Sequence, residues 1–210
     1  MLTLRMTFFS TAIATVLGVP LGLLLEQFNF CGKRMVVTIN RTLMASPPVV
    51  VGLVVYLLLM RNGLFGALGL LFTLEAMVIA QVIIITPIVS GMTHTAACSR
   101  ANTTRMFAYT MGATKRQAMV LVIRELSGEL LFIVLTAFAR AMSEVGAILI
   151  VGGNIRHHTR TMTTSISLMR NRGEFGDAII LGALLMGIVF AVQLLANAIQ
   201  KKEDNPSENY

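Results

Sequence analysis

At 210 residues the chain is 55% hydrophobic and 13% charged, has no Trp, and has a mean hydropathy of +0.76. Soluble domains carry about a quarter of their residues as charge, so this composition excludes a disordered chain and argues against a water-soluble globule. Seventeen Lys and Arg against ten Asp and Glu give a net charge of +7, but the basic residues sit between apolar runs rather than along one periodic face, which points to loops flanking membrane spans and away from nucleic acid.

A helix needs roughly 20 apolar residues to cross a bilayer. The first charge-free run, 6–25, lies between Arg5 and Glu26. It is too long, and its basic flank too slight, for a cleaved leader, so it reads as a retained span. The second run, 42–60, is fenced by Arg41 and Arg61 and holds Ser46, Pro47 and Pro48. Proline frees carbonyls and kinks a helix, and in a membrane such groups must be buried in protein or face a watery path. These three residues therefore mark either a candidate broken helix at a translocation path or a packing kink. The stretch 62–74 is apolar but short and Gly-rich, a re-entrant or interfacial piece.

The third run is 76–99, with Pro87 inside it and Arg100 closing it. Segment 100–125 follows, with helix-forming residues on both sides of Gly112; this predicts a helix, a Gly-permitted turn and a second short helix, a basic elbow able to fit a cleft on a partner. The fourth run, 130–153, carries Arg140 and Glu144 within it. A central charge costs on the order of 2.5–3.5 kcal/mol on insertion scales. Four residues apart, the two share a helix face and can pair. The pair reads either as a structural lock or as the wall of a path, with Gly146 just beyond it. The fifth run, 178–200, stops at Lys201-Lys202, and 201–210 is a polar tail. Gly18, Gly22, Gly182 and Gly187 are expected to permit close helix packing. The result is an all-α membrane protein of five spans, a transmembrane domain over 1–200, with no internal repeat.

Ten Lys and Arg fall on one side of these spans: Lys33, Arg34, Arg41, Arg100, Arg105, Lys115, Arg116, Arg124, Lys201 and Lys202. Six fall on the other: Arg5, Arg61, Arg156, Arg160, Arg170 and Arg172. The richer side is read as cytoplasmic, with the elbow and C-terminus inside. The outer loop 154–177 opposes the rule with four arginines, a placement that makes sense if it faces an anion. Arg156 and Arg160, Asn154, and the hydroxyls of Thr159, Thr161 and Thr163 are natural donors to an oxyanion, or grips for acidic residues of a partner protein, or simply solvated surface. His157 and His158 lack a third ligand held nearby, so no metal is assigned. Cys31 and Cys98 give no disulfide framework. The sequence has no G-x-x-x-x-G-K-[ST] loop, no catalytic triad and no paired-carboxylate site, so no enzyme activity and no cofactor are assigned.

Segment 100–125 resembles the coupling loop of permease subunits of ABC importers, whose pattern runs E-A-A, three residues, Gly, nine residues, I-x-L-P. Aligned on Gly112, the second Ala of the pattern falls on Ala108 and its Ile on Val122, while Ala113-Thr114 continue the turn. Met106 and Phe107 stand where the family has Glu and Ala, and Arg124-Glu125 where it has Leu-Pro. The runs A-R-A-M-S-E-V-G-A at 139–147, G-G-N-I at 152–155 and T-R-T-M-T-T at 159–164 are similar to the molybdate, sulfate and tungstate branch, most of all to tungstate permeases. S-P-P-V-V-V-G-L at 46–53 extends the resemblance across the chain.

The resemblance implies the ABC importer permease fold in a prokaryotic cell membrane, usually with a further N-terminal segment. The implied partners are a second copy of the chain, ATP-hydrolysing subunits docked on Ala108, Gly112, Ala113, Thr114 and Arg116, and an extracytoplasmic substrate-binding protein. Molybdate or sulfate would serve the same chemistry as tungstate. A secondary transporter driven by an ion gradient, or a non-transporting scaffold, are the readings from other classes.

Overall fold

The structure, a computed structural model, describes residues 2–28 and 30–204, with side chains up to residue 200. The tail beyond residue 204 lies outside the described residues. Long charge-free runs become helices because hydrocarbon offers no partner to a backbone N–H or C=O, and a helix pairs these groups within the segment. Three helices are long and apolar enough to cross: α1 (Leu2–Gln27), α4 (Leu74–Thr110) and α9, apolar over Phe175–Gln200.

Two further crossings are formed only if bent pairs count as one each. The first pair is α2 (Lys33–Met44) with α3 (Pro48–Leu59), bent by 97°. The second is α6 (Ser127–Met142) with α7 (Gly146–Gly152), bent by 58°. The stretch read as one span at 42–60 thus has its break at 45–47, because Pro47 and Pro48 have no N–H to continue α2 and Pro48 instead starts a new helix. The stretch 62–74 forms turns around a short 3-10 turn at Gly66–Leu68. Phe72 N donates to the Val151 carbonyl at 3.1 Å, tying this piece to the end of α7.

α4 is the axis of the fold. It touches α1, α2, α3, α5 (Lys115–Glu125), α6 and α7. Its 37 residues span about 55 Å, well beyond a hydrocarbon layer of about 30 Å, so it continues past Arg100 to the elbow at Gly112. The largest buried cluster lies between α1, α4 and α6, around Ala14, Ile85, Val89, Ile133 and Ala137. α1 approaches α4 through Gly18 and Gly22. A Cβ at Gly18 would lie 2.8 Å from the Val89 Cβ, and one at Gly22 would lie 2.6 Å from the Ser90 carbonyl oxygen.

Gly182 and Gly187 do not behave this way. A Cβ at either would meet nothing within 4 Å, because α9 packs on α6 and α8 (Met162–Arg172) through its other faces. Gly22→Leu is therefore expected to destabilise the protein by about 1–3 kcal/mol through overpacking. Gly182→Leu should leave stability unchanged or slightly higher. Thermal unfolding of the two variants in detergent checks the contrast.

Candidate functional site

The two bent helix pairs meet at their breaks. The first turn of α3 lies against the first turn of α7, so that a Cβ at Gly146 would fall 2.6 Å from the Val49 Cγ2, and one at Gly52 would fall 2.6 Å from the Ala147 Cα. Only glycine allows this approach at either position. The Ser46 hydroxyl donates to the Leu43 carbonyl at 2.8 Å, so the side chain caps the end of α2 rather than projecting a free donor. Pro47 remains exposed, and Ser46 and Pro48 are half-buried.

Across the joint, Glu144 fills the break between α6 and α7. Its Oε2 accepts from Arg140 Nη1 at 2.9 Å, and its Oε1 accepts from the Gly146 amide at 3.1 Å, one of the donors that the start of α7 leaves without a helical partner. The Thr163 hydroxyl donates to the Glu144 carbonyl at 3.0 Å. Glu144 is 4% exposed, whereas the Arg140 side chain is 42% exposed. The carboxylate is committed inside the protein, and the guanidinium keeps donors that it does not use on Glu144.

Gln81, fully buried on α4, donates through Nε2 to the Ala141 carbonyl just before the break and accepts from the Ser10 hydroxyl at 2.8 Å. It was the one polar residue in its part of the third run that sequence reasoning passed over. An amide side chain in the middle of an apolar run was the available signal.

The loop between α7 and α8 is a hydrogen-bonded knot. Gly153, Asn154 and His157 take left-handed backbone conformations. The Thr159 hydroxyl accepts from the Ile155 amide at 3.0 Å and donates to the Gly152 carbonyl. Thr161 and Thr164 cap α8 reciprocally. Thr159, Thr161 and Thr163 are each at most 4% exposed. Their hydroxyls hold the loop and the break in place, so the donors left open to an anion are fewer than the residue types suggest. Arg160 Nε donates to the Asn154 Oδ1 at 3.2 Å, while Arg156 stays exposed. Arg156, His157 and Arg160 line a shallow cavity of about 400 Å³ with Thr3 and Ser165.

At the other end, the elbow is built by two local motifs. α4 ends with Gly112 at φ 79°, where the Ala113 amide donates to the Ala108 carbonyl at 3.0 Å and the Gly112 amide to the Tyr109 carbonyl at 3.0 Å. This is the Schellman closure that Gly permits. Thr114 then caps α5 in a capping box with Gln117. Ala108, Gly112, Ala113 and Thr114 are thus brought together in one turn. Arg116 is exposed and lines a groove with Gln117, Val120, Leu121 and Arg124. Met106, Phe107 and Met111 are each more than 60% exposed at the tip, an apolar surface on a polar-flanked elbow.

An ion pair that spacing could not reveal braces this elbow. Arg105 donates through Nη1 to the Glu26 Oε1 at 3.1 Å and through Nη2 to Oε2, a bidentate bridge between the last turn of α1 and the turn before the last of α4. Both side chains are largely buried, at 18% and 11% exposure. The sequence placed them in different loops, 79 residues apart. Among the described residues no group of three His, Cys, Asp or Glu side chains is positioned to hold a metal ion.

The family model described as binding-protein-dependent transport system inner membrane component matches residues 18–204. A tungstate uptake system permease protein of Peptoclostridium acidaminophilum is 42% identical over 92% of this chain and 85% of its own length. A probable anion ABC transporter permease protein of Haloferax volcanii is 39% identical over 89% of this chain and 82% of its own. A second tungstate uptake system permease protein, from Campylobacter jejuni, is 34% identical over 83% of this chain and 73% of its own.

Removing one partner of the Glu26–Arg105 pair, as in Arg105→Gln, is expected to lower stability by about 1–3 kcal/mol, because the other charge stays half-buried. The exchange Glu26→Arg with Arg105→Glu should recover most of it. A thermal midpoint for the double variant as low as for the single ones would show that the bridge is not the source of the loss.

Proposed function

The chain belongs to the family of binding-protein-dependent transport system inner membrane components, and from that premise we propose that two copies form the conduit of a tungstate importer. Subunits of this family are permeases, not enzymes, and they are multi-pass inner membrane proteins that work with an ATPase and a substrate-binding protein. The proposal adds the homodimer, the cytoplasmic placement of the elbow and C-terminus, and the cargo. Tungstate is favoured over molybdate and sulfate by the relatives at 42% and 34% identity.

The observation that carries the mechanism is the continuity of α4. One continuous helix packs on both bent pairs and ends in the elbow. Docking of the exposed tip at Met106, Phe107 and Met111 into an ATPase cleft would turn nucleotide-driven closure into movement of α4, and through it of the joint at Val49 and Gly146. Access then alternates between the two sides as the states differ in affinity for ATP and for the bound partners. The Arg140 guanidinium offers charge and two-pronged donation to a doubly charged tetrahedral oxyanion at the break. Arg156 and Arg160 at the outer loop meet either the oxyanion or acidic residues of the binding protein.

Proteoliposomes holding the permease, its ATPase and its binding protein test this reading. Uptake of labelled tungstate should require ATP and fall with excess unlabelled tungstate well before it falls with sulfate. Equal competition by sulfate would overturn the cargo assignment. Gly112→Val imposes a left-handed conformation on a β-branched residue at a cost of about 1–2 kcal/mol. It should leave ATP hydrolysis running while uptake is lost, and normal uptake would contradict the role of the elbow.

A further inference from the structure

α2 is attached to the protein by a single stripe. Lys33, Val37, Asn40 and Met44 are its half-buried positions, and every other position of the helix is exposed. The stripe faces α4: Asn40 Nδ2 donates to the Pro87 carbonyl at 3.2 Å, the Ser90 hydroxyl donates to the Asn40 Oδ1 at 2.9 Å, and a Cβ at Gly91 would lie 2.2 Å from the Met44 sulfur.

At 3.6 residues per turn the exposed positions separate into two faces, one on each side of that stripe. One is apolar: Met35, Val36, Ile39 and Leu43, all more than 40% exposed. The other holds Arg34, Thr38, Arg41 and Thr42. The Thr38 and Thr42 hydroxyls donate back to the Arg34 and Thr38 carbonyls, so the outward chemistry of this face is two guanidinium groups. No carboxylate occurs in the sequence between Glu26 and Glu75, and neither Arg34 nor Arg41 forms an ion pair among the described residues.

The depth of the helix fits this division. α2 turns 97° away from α3 and crosses α4 between Pro87 and Thr95. That crossing lies roughly 20–30 Å along α4 from its first residue, near the far edge of a hydrocarbon layer of about 30 Å. Arg41 shares a cavity with His94 and Thr95, just past the middle of α4, and with Glu129 and Gln200, at the start of α6 and near the end of α9. The cationic face therefore looks toward the elbow side, and the apolar face looks back toward the bilayer centre.

We propose that α2 is an interfacial helix that binds the phosphate headgroups of anionic phospholipid through Arg34 and Arg41, in the leaflet on the elbow side, with Met35, Val36, Ile39 and Leu43 among the acyl chains. The two arginines form no ion pair among the described residues, Glu129 sharing the cavity of Arg41 without bridging to it, and the apolar face has the exposure of a lipid contact. Through the short turn at 45–47, lipid held on α2 sets the position of α3 and of the joint at Gly146. This goes beyond the transport reading and does not depend on which oxyanion is carried.

The chain has no Trp, so a single introduced Trp reports without background. The whole permease carrying Ile39→Trp, in nanodiscs with brominated acyl chains, should lose at least about half its fluorescence, while Thr38→Trp should lose little. Strong quenching of Ile39→Trp by aqueous iodide instead would make the face water-lined, and protection from both quenchers would mean that a second copy covers it; either result overturns the proposal. For the headgroup, native mass spectrometry should show phosphatidylglycerol retained over phosphatidylcholine. Each of Arg34→Gln and Arg41→Gln should weaken that preference about fivefold, and Arg34→Lys with Arg41→Lys should keep it. Displacement of the lipid by millimolar tungstate or free phosphate would assign the arginines to a soluble anion and defeat the lipid assignment.

Discussion

A helix that stops inside a bilayer leaves amide N–H groups at one end and carbonyls at the other with no water to receive them. This constraint organises the protein. Two of its helix pairs bend at a break, and at the break between α6 and α7 polar side chains take over. Glu144 accepts from the Gly146 amide, Gln81 donates to the Ala141 carbonyl, Thr163 donates to the Glu144 carbonyl, and Asn40 donates to the Pro87 carbonyl where α4 itself contains a proline. With those groups satisfied internally, the surface left open at the break is the cationic side of Arg140. On the proposed transport reading, that exposed charge is what a passing anion would meet.

The same side chains tie the breaks to one mechanical element. Gln81, on α4, bonds to α1 and α6, Asn40 ties α2 to α4, and Gly18 and Gly22 let α1 lie against the same helix. At the far end the bidentate Glu26–Arg105 pair fixes α1 to α4 just before the elbow. A buried pair of this kind contributes little net stability against an apolar replacement, but it makes one relative placement of two helices much better than its neighbours. That property suits a part that must move as a unit.

Local chemistry was legible in the sequence wherever it depended on residues a few positions apart. The Arg140–Glu144 pairing follows from a spacing of four, the turn at Gly112 from glycine between helix formers, and the break at 45–47 from adjacent prolines. What the sequence could not show was where distant segments meet. Gly18 and Gly182 look alike on an apolar helix, yet one lies against Val89 and the other in open space. Thr159, Thr161 and Thr163 have the right atoms for an oxyanion, but whether a hydroxyl is free depends on a loop fold that ties each of them to the backbone or to one another. Glu26 and Arg105 read as two loop charges because nothing local links them.

The central claim is that the joint between the broken spans opens to water in one state of the assembly and closes in another. Ser46→Cys in a chain also carrying Cys31→Ser and Cys98→Ser places one thiol at that joint, in vesicles with the ATPase and binding protein present. Reaction with a membrane-impermeant thiosulfonate should differ several-fold between the nucleotide-free and vanadate-trapped states. A thiol that ignores this reagent in both states and reacts only with a lipid-soluble maleimide would contradict the account.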